Sequence, residues 1–409
     1  MASQREFSLS EASALFKIKY EKLSENVYNS ANVLLGRCKK SYSFTGKQLS
    51  IAIPQSFSGG VGSGTLPTAN TAEYGDAQIT AKKMYAVVEI DRETIKAAMS
   101  DEGAFVRATK EVVKKGVESF MRNLSRALFN DGTGALGTAT AASEINTDYA
   151  GEDPLADPDS TLVTFGTSTA TFKEANFEER DLVNIGAGTT DIEILEVRPE
   201  TFQIVLRGVG LSVGTSVIYM QGSNGQDPEG LKGVLDATSS TKYGLSIKRR
   251  WKAHQKDAGG AAISTDLLNE MMLKVEKASG KSPNIIVTSY KQYEKILNLL
   301  EDQKRYEVKT RSGLKSKSGA DISFSGVEFM SSSGPVGIFP ERFVEDDRIY
   351  FLNDNHIHIY HRPDFGWFDD DGTVFLRKAQ TDAYEARYGG YLNCYINPCF
   401  HGVLDGLST

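Results

Sequence analysis

Three cysteines in 409 residues, Cys38, Cys394 and Cys399, form neither an even set nor a metal-ligand spacing, so a disulfide framework or a zinc cluster is not expected. The thiols read as reduced and structural. No apolar run approaches the roughly 18 residues that a membrane helix needs, and Met1 to Phe7 lack the basic-then-apolar layout of a signal peptide. Both absences predict a chain made and kept in a cytoplasm, with no membrane partner. A basic excess is missing as well: 46 Lys and Arg stand against 53 Asp and Glu, a formal charge of -7, without the electrostatic signature of a tight nucleic-acid reader. Only five histidines are present, none beside a serine or cysteine poised as a nucleophile, and no G-x-S-x-G elbow occurs. No fixed-period repeat is evident.

What remains is material for folding. Hydrophobic residues at 40% and charged residues at 24% lie in the range of soluble globular proteins, and the length predicts two or three domains. Ser8 and Glu11 form a capping box before Leu15, Ile18, Leu23, Val27 and Leu34, which predicts an amphipathic helical arm over about 9 to 35. Leu49, Ile51 and Ile53 alternate with polar or small residues, as do Met84, Ala86, Val88 and Ile90, so the two runs read as arms of one hairpin. The glycine-rich stretch Gln55 to Ile79 would be its long loop. Asp91 can cap a short helix. A longer helix follows from about 100 to Asn130, with Phe105, Val112, Val113, Val117, Phe120, Leu124 and Leu128 on one stripe. After an Ala, Thr, Asp and Pro-rich crossing from about 138 to 160, strand periodicity over 160 to 222 predicts a small all-β module. A mixed region comes next: a helix from Ser264 or Thr265 to Gly280, a strand at Ile285 to Val287, and a helix over Tyr290 to Leu300. Terminal strands include Ile349 to Leu352, Ile357 to Tyr360 and Tyr388 to Ile396.

Several motifs imitate chemistry without its context. Gly132, Gly134 and Gly137 satisfy G-x-G-x-x-G, but a helix leads in and a polar crossing leads out, the reverse of a dinucleotide cradle. Gly280, Lys281 and Ser282 resemble the end of a phosphate loop whose first glycine would be Val275, inside a helix. Asp364, Phe365 and Gly366 stand without the rest of a kinase set. His356 and His358 could share a strand face and take a metal with Asp354, yet His361 points the other way and nothing completes the set. Asp369, Asp370 and Asp371 lack the alternating spacing of a calcium loop and read as a solvated turn. The sequence therefore predicts no catalytic, cofactor-binding or metal site, and no enzyme.

The order of parts carries more than any motif. Together with the phrases "ALFNDGTGALG", "DPEGLKGVLD", "SPNIIVTSYKQYEKI" and "ARYGGYLNCYINPCFHGVL", it resembles the tailed-phage major capsid family with the Hong Kong 97-like fold. That resemblance implies an α+β capsid fold with an N-terminal arm at 1–45, an extended hairpin loop at 46–90, and a spine helix with the start of a peripheral domain at 91–140. An inserted β-module at 141–222 would follow, then a peripheral return at 223–250, an axial domain at 251–374 and peripheral terminal strands at 375–409. The implied function is a self-assembling icosahedral shell around double-stranded DNA. Partners would be the chain itself as hexamers and pentamers, a separate scaffolding protein, a portal, a decoration protein and non-specifically contacted DNA. The location would be the virion capsid after assembly in the host cytoplasm. An encapsulin-like compartment or another virion protein are the alternative readings. Some relatives seal their shells with a lysine-asparagine bond; Lys82 or Lys83 with Asn393 or Asn397 are the residues of the right type, but no phrase matches the cross-linking pattern.

Overall fold

Leu49, Ile51 and Ile53 do open a hairpin, in a computed structural model that describes residues 33–41, 44, 46–56, 73–91, 102–145, 160–168, 171–186, 188–236, 238–246, 248, 251–302, 314–315, 321–322, 327–332, 334–362, 366–368, 374, 376–378 and 381–409. Their partner is not the run at 84 to 90. Strand β1 (Gln48–Ser56) pairs antiparallel with β2 (Glu73–Thr80), Leu49 opposite Ile79 and Ile51 opposite Ala77. Strand β3 (Lys82–Asp91) leaves after Ala81 and pairs antiparallel with the long strand Ala383–Ile396 instead. The sequence misled because the inward positions of β2 are Gly75, Ala77 and Ile79, too small to print a strong alternation, whereas β3 alternates clearly. Asp91 is the last residue of that strand, and the short helix expected after it lies outside the described residues. The arm expected over 9 to 35 lies outside the described residues except for the short helix Val33–Arg37, as does most of the hairpin loop.

Helix α1 (Glu102–Phe129) is 28 residues long, about 42 Å at 1.5 Å per residue. Val117, Phe120, Met121, Leu124 and Leu128 are buried on one stripe, while Lys114 and Glu118 pair on the other side. Gly116 lets α1 pack closely on β3, since a Cβ there would run into Val88. The helix stops at Asn130, and Gly132 and Gly134 then adopt φ of 83° and 80°, left-handed values that suit glycine.

A closed six-stranded barrel follows: β4 (Ala135–Ile145), β5 (Ser160–Phe165), β6 (Leu182–Ile185), β7 (Thr189–Arg198), β8 (Gln203–Arg207) and β9 (Val217–Met220). Its first strand comes from the stretch read as a crossing and, by resemblance, as part of the peripheral domain. Ala- and Thr-rich strand residues mimic loop composition there. The barrel has its own core, with Phe165, Phe172 and Phe177 in mutual ring contact at 5.1 to 5.3 Å. Entry and exit are tied together, Gly225 N–H donating to Thr133 O at 2.8 Å. This closure gives the barrel no sheet edge to protect.

Two six-stranded sheets and two small two-stranded ones account for the other strands among the described residues. The second six-stranded sheet contains β10 (His254–Asp257), β11 (Ile285–Thr288), β12 (Val327–Ser331), β13 (Gly334–Pro340) and β14 (Ile349–Leu352), with helices α2 (Thr265–Ser279) and α3 (Tyr290–Asp302) on one face. Ser264 caps α2 by accepting from Leu267 N–H at 3.3 Å, and Gly280 ends it at φ 71°, as its sequence signals predict. The first sheet is built on β15 (Ile357–His361) and β16 (Ala383–Ile396), joined by β3 and the short strands Lys39–Ser41, Gly366–Trp367 and Leu376–Arg377. The final strand β17 (Gly402–Asp405) returns to the second sheet between β10 and β14, so the C-terminal stretch is shared between both sheets.

Period-two alternation sorts the second sheet into two cores. Ile285, Val287, Tyr350, Leu352 and Val403 face the central core with α1 and the first sheet, while Ile286, Ile349, Phe351 and Leu404 face α2 and α3. A double glycine, Gly389 and Gly390 at φ 146° and 152°, lets β16 run the length of the first sheet; a side chain at Gly389 would run into the Met84 backbone.

Candidate assembly surfaces and the joints that hold them

The hairpin β1–β2 is tied to the rest of the chain along its second strand, from the base to the loop end. Ala77 and Ile79 are fully buried, Gln78 N–H donates to Tyr243 O at 2.8 Å, and Lys248 pairs with Glu73 at 2.6 Å. Toward the tip, Tyr74 is 60% exposed. The outer face of the neighbouring sheet carries Tyr85 and Val87, 43% and 58% exposed, and Tyr85 meets Phe368 edge to face. The second sheet and its helices also carry exposed apolar side chains, Leu273 of α2, Tyr290 of α3 and Met330 of β12, all mostly exposed. Surfaces of this kind favour contact with other protein.

Buried ion pairs fix the barrel to the rest. Glu345, 2% exposed, accepts from Lys232 at 2.7 Å and pairs with Arg348 at 3.1 Å and Lys173 at 3.5 Å. Lys173 comes from the barrel and also donates to Phe343 O at 3.1 Å. Burial alone would raise the Glu345 pKa, but the three cations override it and hold the carboxyl down at about 2. Burial pulls the Lys173 ammonium below its usual range, and Glu345 opposes that. On the other side, Arg122 of α1 reaches Asp181 at 2.5 Å and Glu178, and Arg126 pairs with Asp227 at 3.1 Å in a nearly solvent-free setting. Between these joints runs an open groove of about 1120 Å³ lined by Arg122, Lys173, Glu178, Tyr290, Glu341 and Arg342 among others. Burial pushes Glu341 up to about 7 against the opposing backbone and charge of Arg342.

No sequence signal announced these joints, because apart from the neighbours Glu345 and Arg348 their members lie more than fifty residues apart and each is an ordinary charged residue in its own segment.

The residues singled out as chemical candidates are dispersed into structural duties. His356 closes a 3-10 turn and stacks on Phe400 at 3.8 Å, His358 stacks on Tyr360, and Asp354 is engaged by Arg37 at 3.0 Å and Asn284 at 2.6 Å. Among the described residues no three His, Cys, Asp or Glu side chains converge as a metal site. Gly132 and Gly134 form the turn into the barrel and Gly280 the stop of α2. Asp364, Phe365 and Asp369 to Asp371 lie outside the described residues. Lys82 donates to Gly225 O at 2.8 Å, and Lys83 lies 5.7 Å over the Tyr391 ring. Asn393 donates to Thr80 O at 2.7 Å and accepts from Cys394 N–H at 2.7 Å, and Asn397 caps a turn. These amides strap strands of one subunit together. The three thiols are buried and form no disulfide, and burial pushes that of Cys394 up to about 12.

Residues 211–367, from the end of the barrel into the first sheet, match the family described as SU10 major capsid protein. No curated protein sequence matches the chain. Solved structures of similar shape include the cyanophage A-1(L) capsid asymmetric unit, at 10% identity and a TM-score of 0.47 over 91% of each chain. Another is the SrpI encapsulin complex of Synechococcus elongatus, at 9% identity and 0.48 over 92% of this chain and 87% of that one. A third is Mycobacterium phage Patience, at 8% identity and 0.40 over 97% and 88%.

Proposed function

We propose that this chain, a phage major capsid protein by its family match over residues 211–367, is the repeating subunit of an icosahedral shell that encloses the double-stranded DNA of a tailed phage. The observation on which the reading turns is the exposure of apolar side chains on three separate elements, at Tyr74 of the hairpin, at Tyr85 and Val87 of the first sheet, and at Leu273, Tyr290 and Met330 of the second sheet and its helices. Repeated contacts through more than one surface are what a closed assembly of identical subunits needs.

Within this reading, α1 with the first sheet forms the peripheral domain, and the second sheet with α2 and α3 forms the axial domain that gathers around symmetry axes as pentamers and hexamers. The hairpin β1–β2 reaches over a neighbouring copy. The barrel acts as an internal brace: Lys173 binds it to the axial side and Asp181 to the spine helix, so it keeps the two at a fixed angle. A scaffolding protein, a portal and a decoration protein are the other partners, DNA is touched without sequence preference, and assembly takes place in the host cytoplasm. No catalytic step is assigned to any residue.

Electron microscopy and light scattering of the purified chain test the assembly. Closed shells or capsomer rings are expected. A monodisperse monomer that persists at high concentration and after addition of a scaffolding partner overturns the reading.

A further inference from the structure

The two sheets are joined by two short crossings of one design. The first leaves β14 through Asn353 and a single 3-10 turn, Asp354–His356, into β15; the second leaves β16 through Asn397, the turn Pro398–Phe400 and His401 into β17. Each turn is capped by its asparagine, Asn353 accepting from Asn355 N–H at 3.2 Å and Asn397 from Cys399 N–H at 3.3 Å. The crossings also bond to each other. Asn397 N–H donates to His356 O at 3.2 Å, Asn353 N–H donates to His401 Nδ1 at 3.2 Å, and the His356 ring stacks on Phe400. His254, at the head of β10, donates its N–H to His401 O at 3.1 Å and places Nε2 3.2 Å from Cys399 O.

Both central rings are held as acceptors. His401 is fully buried, and a ring nitrogen that accepts a backbone N–H carries no proton. The Lys281 ammonium, which has donors only, stands 3.2 Å from His356 Nε2, so that nitrogen also offers a lone pair. A proton added at either nitrogen would set two donors against each other.

We propose that this junction is an acid-released latch between the two sheets: proton uptake by His401 and His356 breaks the bonds that hold the crossings side by side and lets the sheets shift about them. The charged and titratable groups around it favour neutrality. Lys281, Lys39 and His358 surround His356, with Asp354 as the opposing charge among the described residues; His356 faces His401, and Lys274 and Lys252 lie near His254. Burial, then His356, lowers His401 to about 3; burial, then Lys281 and Lys39, lowers His356 to about 4. Folded values below the ordinary one of about 6.5 mean that the latch is fully closed above that pH and weakens as pH falls toward 4. Each histidine favours the opened form tenfold per pH unit, about thirtyfold at pH 5.

The test is hydrogen exchange of the backbone amides at 353–356 and 397–402 in the whole chain, at pH 7 and pH 5, with intrinsic exchange divided out. Protection at the junction should fall at least tenfold at pH 5, and His401→Gln with His356→Gln should remove that fall, since glutamine accepts but does not titrate. A junction whose protection is unchanged, or a double variant with the same acid loss, overturns the proposal. Should the variants not fold, Cε1–H resonances of the five histidines in the unaltered chain decide it: midpoints below about 5 for both residues are expected, and a midpoint of 6 or above for either one overturns it. The outcome is independent of whether shells form.

Discussion

Glu345→Gln removes one charge and almost no volume, at the point where barrel, short helix Leu231–Leu235 and second sheet meet. Glu345 is 2% exposed and faces Lys173, Lys232 and Arg348, of which Lys173 is 8% exposed and the other two partly reach solvent. A carboxyl held at about 2 rather than its usual 4.5 corresponds to about 3 kcal/mol of stability at neutral pH. Breaking a buried ion pair from one side costs about 3–5 kcal/mol by an independent argument, because the remaining charge stays buried without a partner. The lower value is expected here, since water can reach Lys232 and Arg348. Urea unfolding followed by the fluorescence of buried Trp251 reads the loss. The pH dependence is a second signature. A folded pKa below the unfolded one gives a contribution that is complete above about 4.5 and lost as pH falls toward 2. Glu345→Gln should therefore flatten this part of the acid profile. Adding Lys173→Met should recover part of the loss, because it removes the most deeply buried of the stranded cations. A change below about 1 kcal/mol with an unaltered acid profile refutes the argument.

Four further outcomes follow from the fold. Exchanging residues 58–71 for a short Asn-Gly turn should leave the thermal unfolding of free subunits nearly unchanged while electron micrographs show no shells; Ile79→Ala, by contrast, should cost about 2–5 kcal/mol, since Ile79 is fully buried in the central core. The barrel, expressed as 133–225, should retain protected amides in β5, β7 and β8, because its core is separate from the others; a lack of protection would make it part of the surrounding core. Gly389→Ala should lower stability by at least about 1–3 kcal/mol in chemical denaturation, through a φ of 146° and a collision with the Met84 backbone, and a neutral result would show that β16 and β3 separate readily.

Local pattern determined much of this protein. The stripe of α1, the Ser264 cap and Gly280 stop of α2, and the strands Ile285–Thr288 and Ile349–Leu352 were legible because each is written in consecutive residues at helical or strand period. The want of a catalytic set could also be read as an expectation, since His356, His358 and Asp354 never formed a complete pattern. Pairing was decided only in three dimensions. β2 carries Gly75, Ala77 and Ile79 inward and so left a faint trace, yet the choice of partner depends on which surface is waiting: Tyr243 and Leu245 receive β2, and β16 receives β3. The barrel's first strand, rich in alanine and threonine, became a strand because β5 and β9 close around it. The joints at Glu345, Asp181 and Asp227, and the crossing of His356 with His401, join side chains distant along the chain. An ion pair or a donor facing a ring nitrogen is a relation between surfaces, and periodicity along a chain holds no record of it.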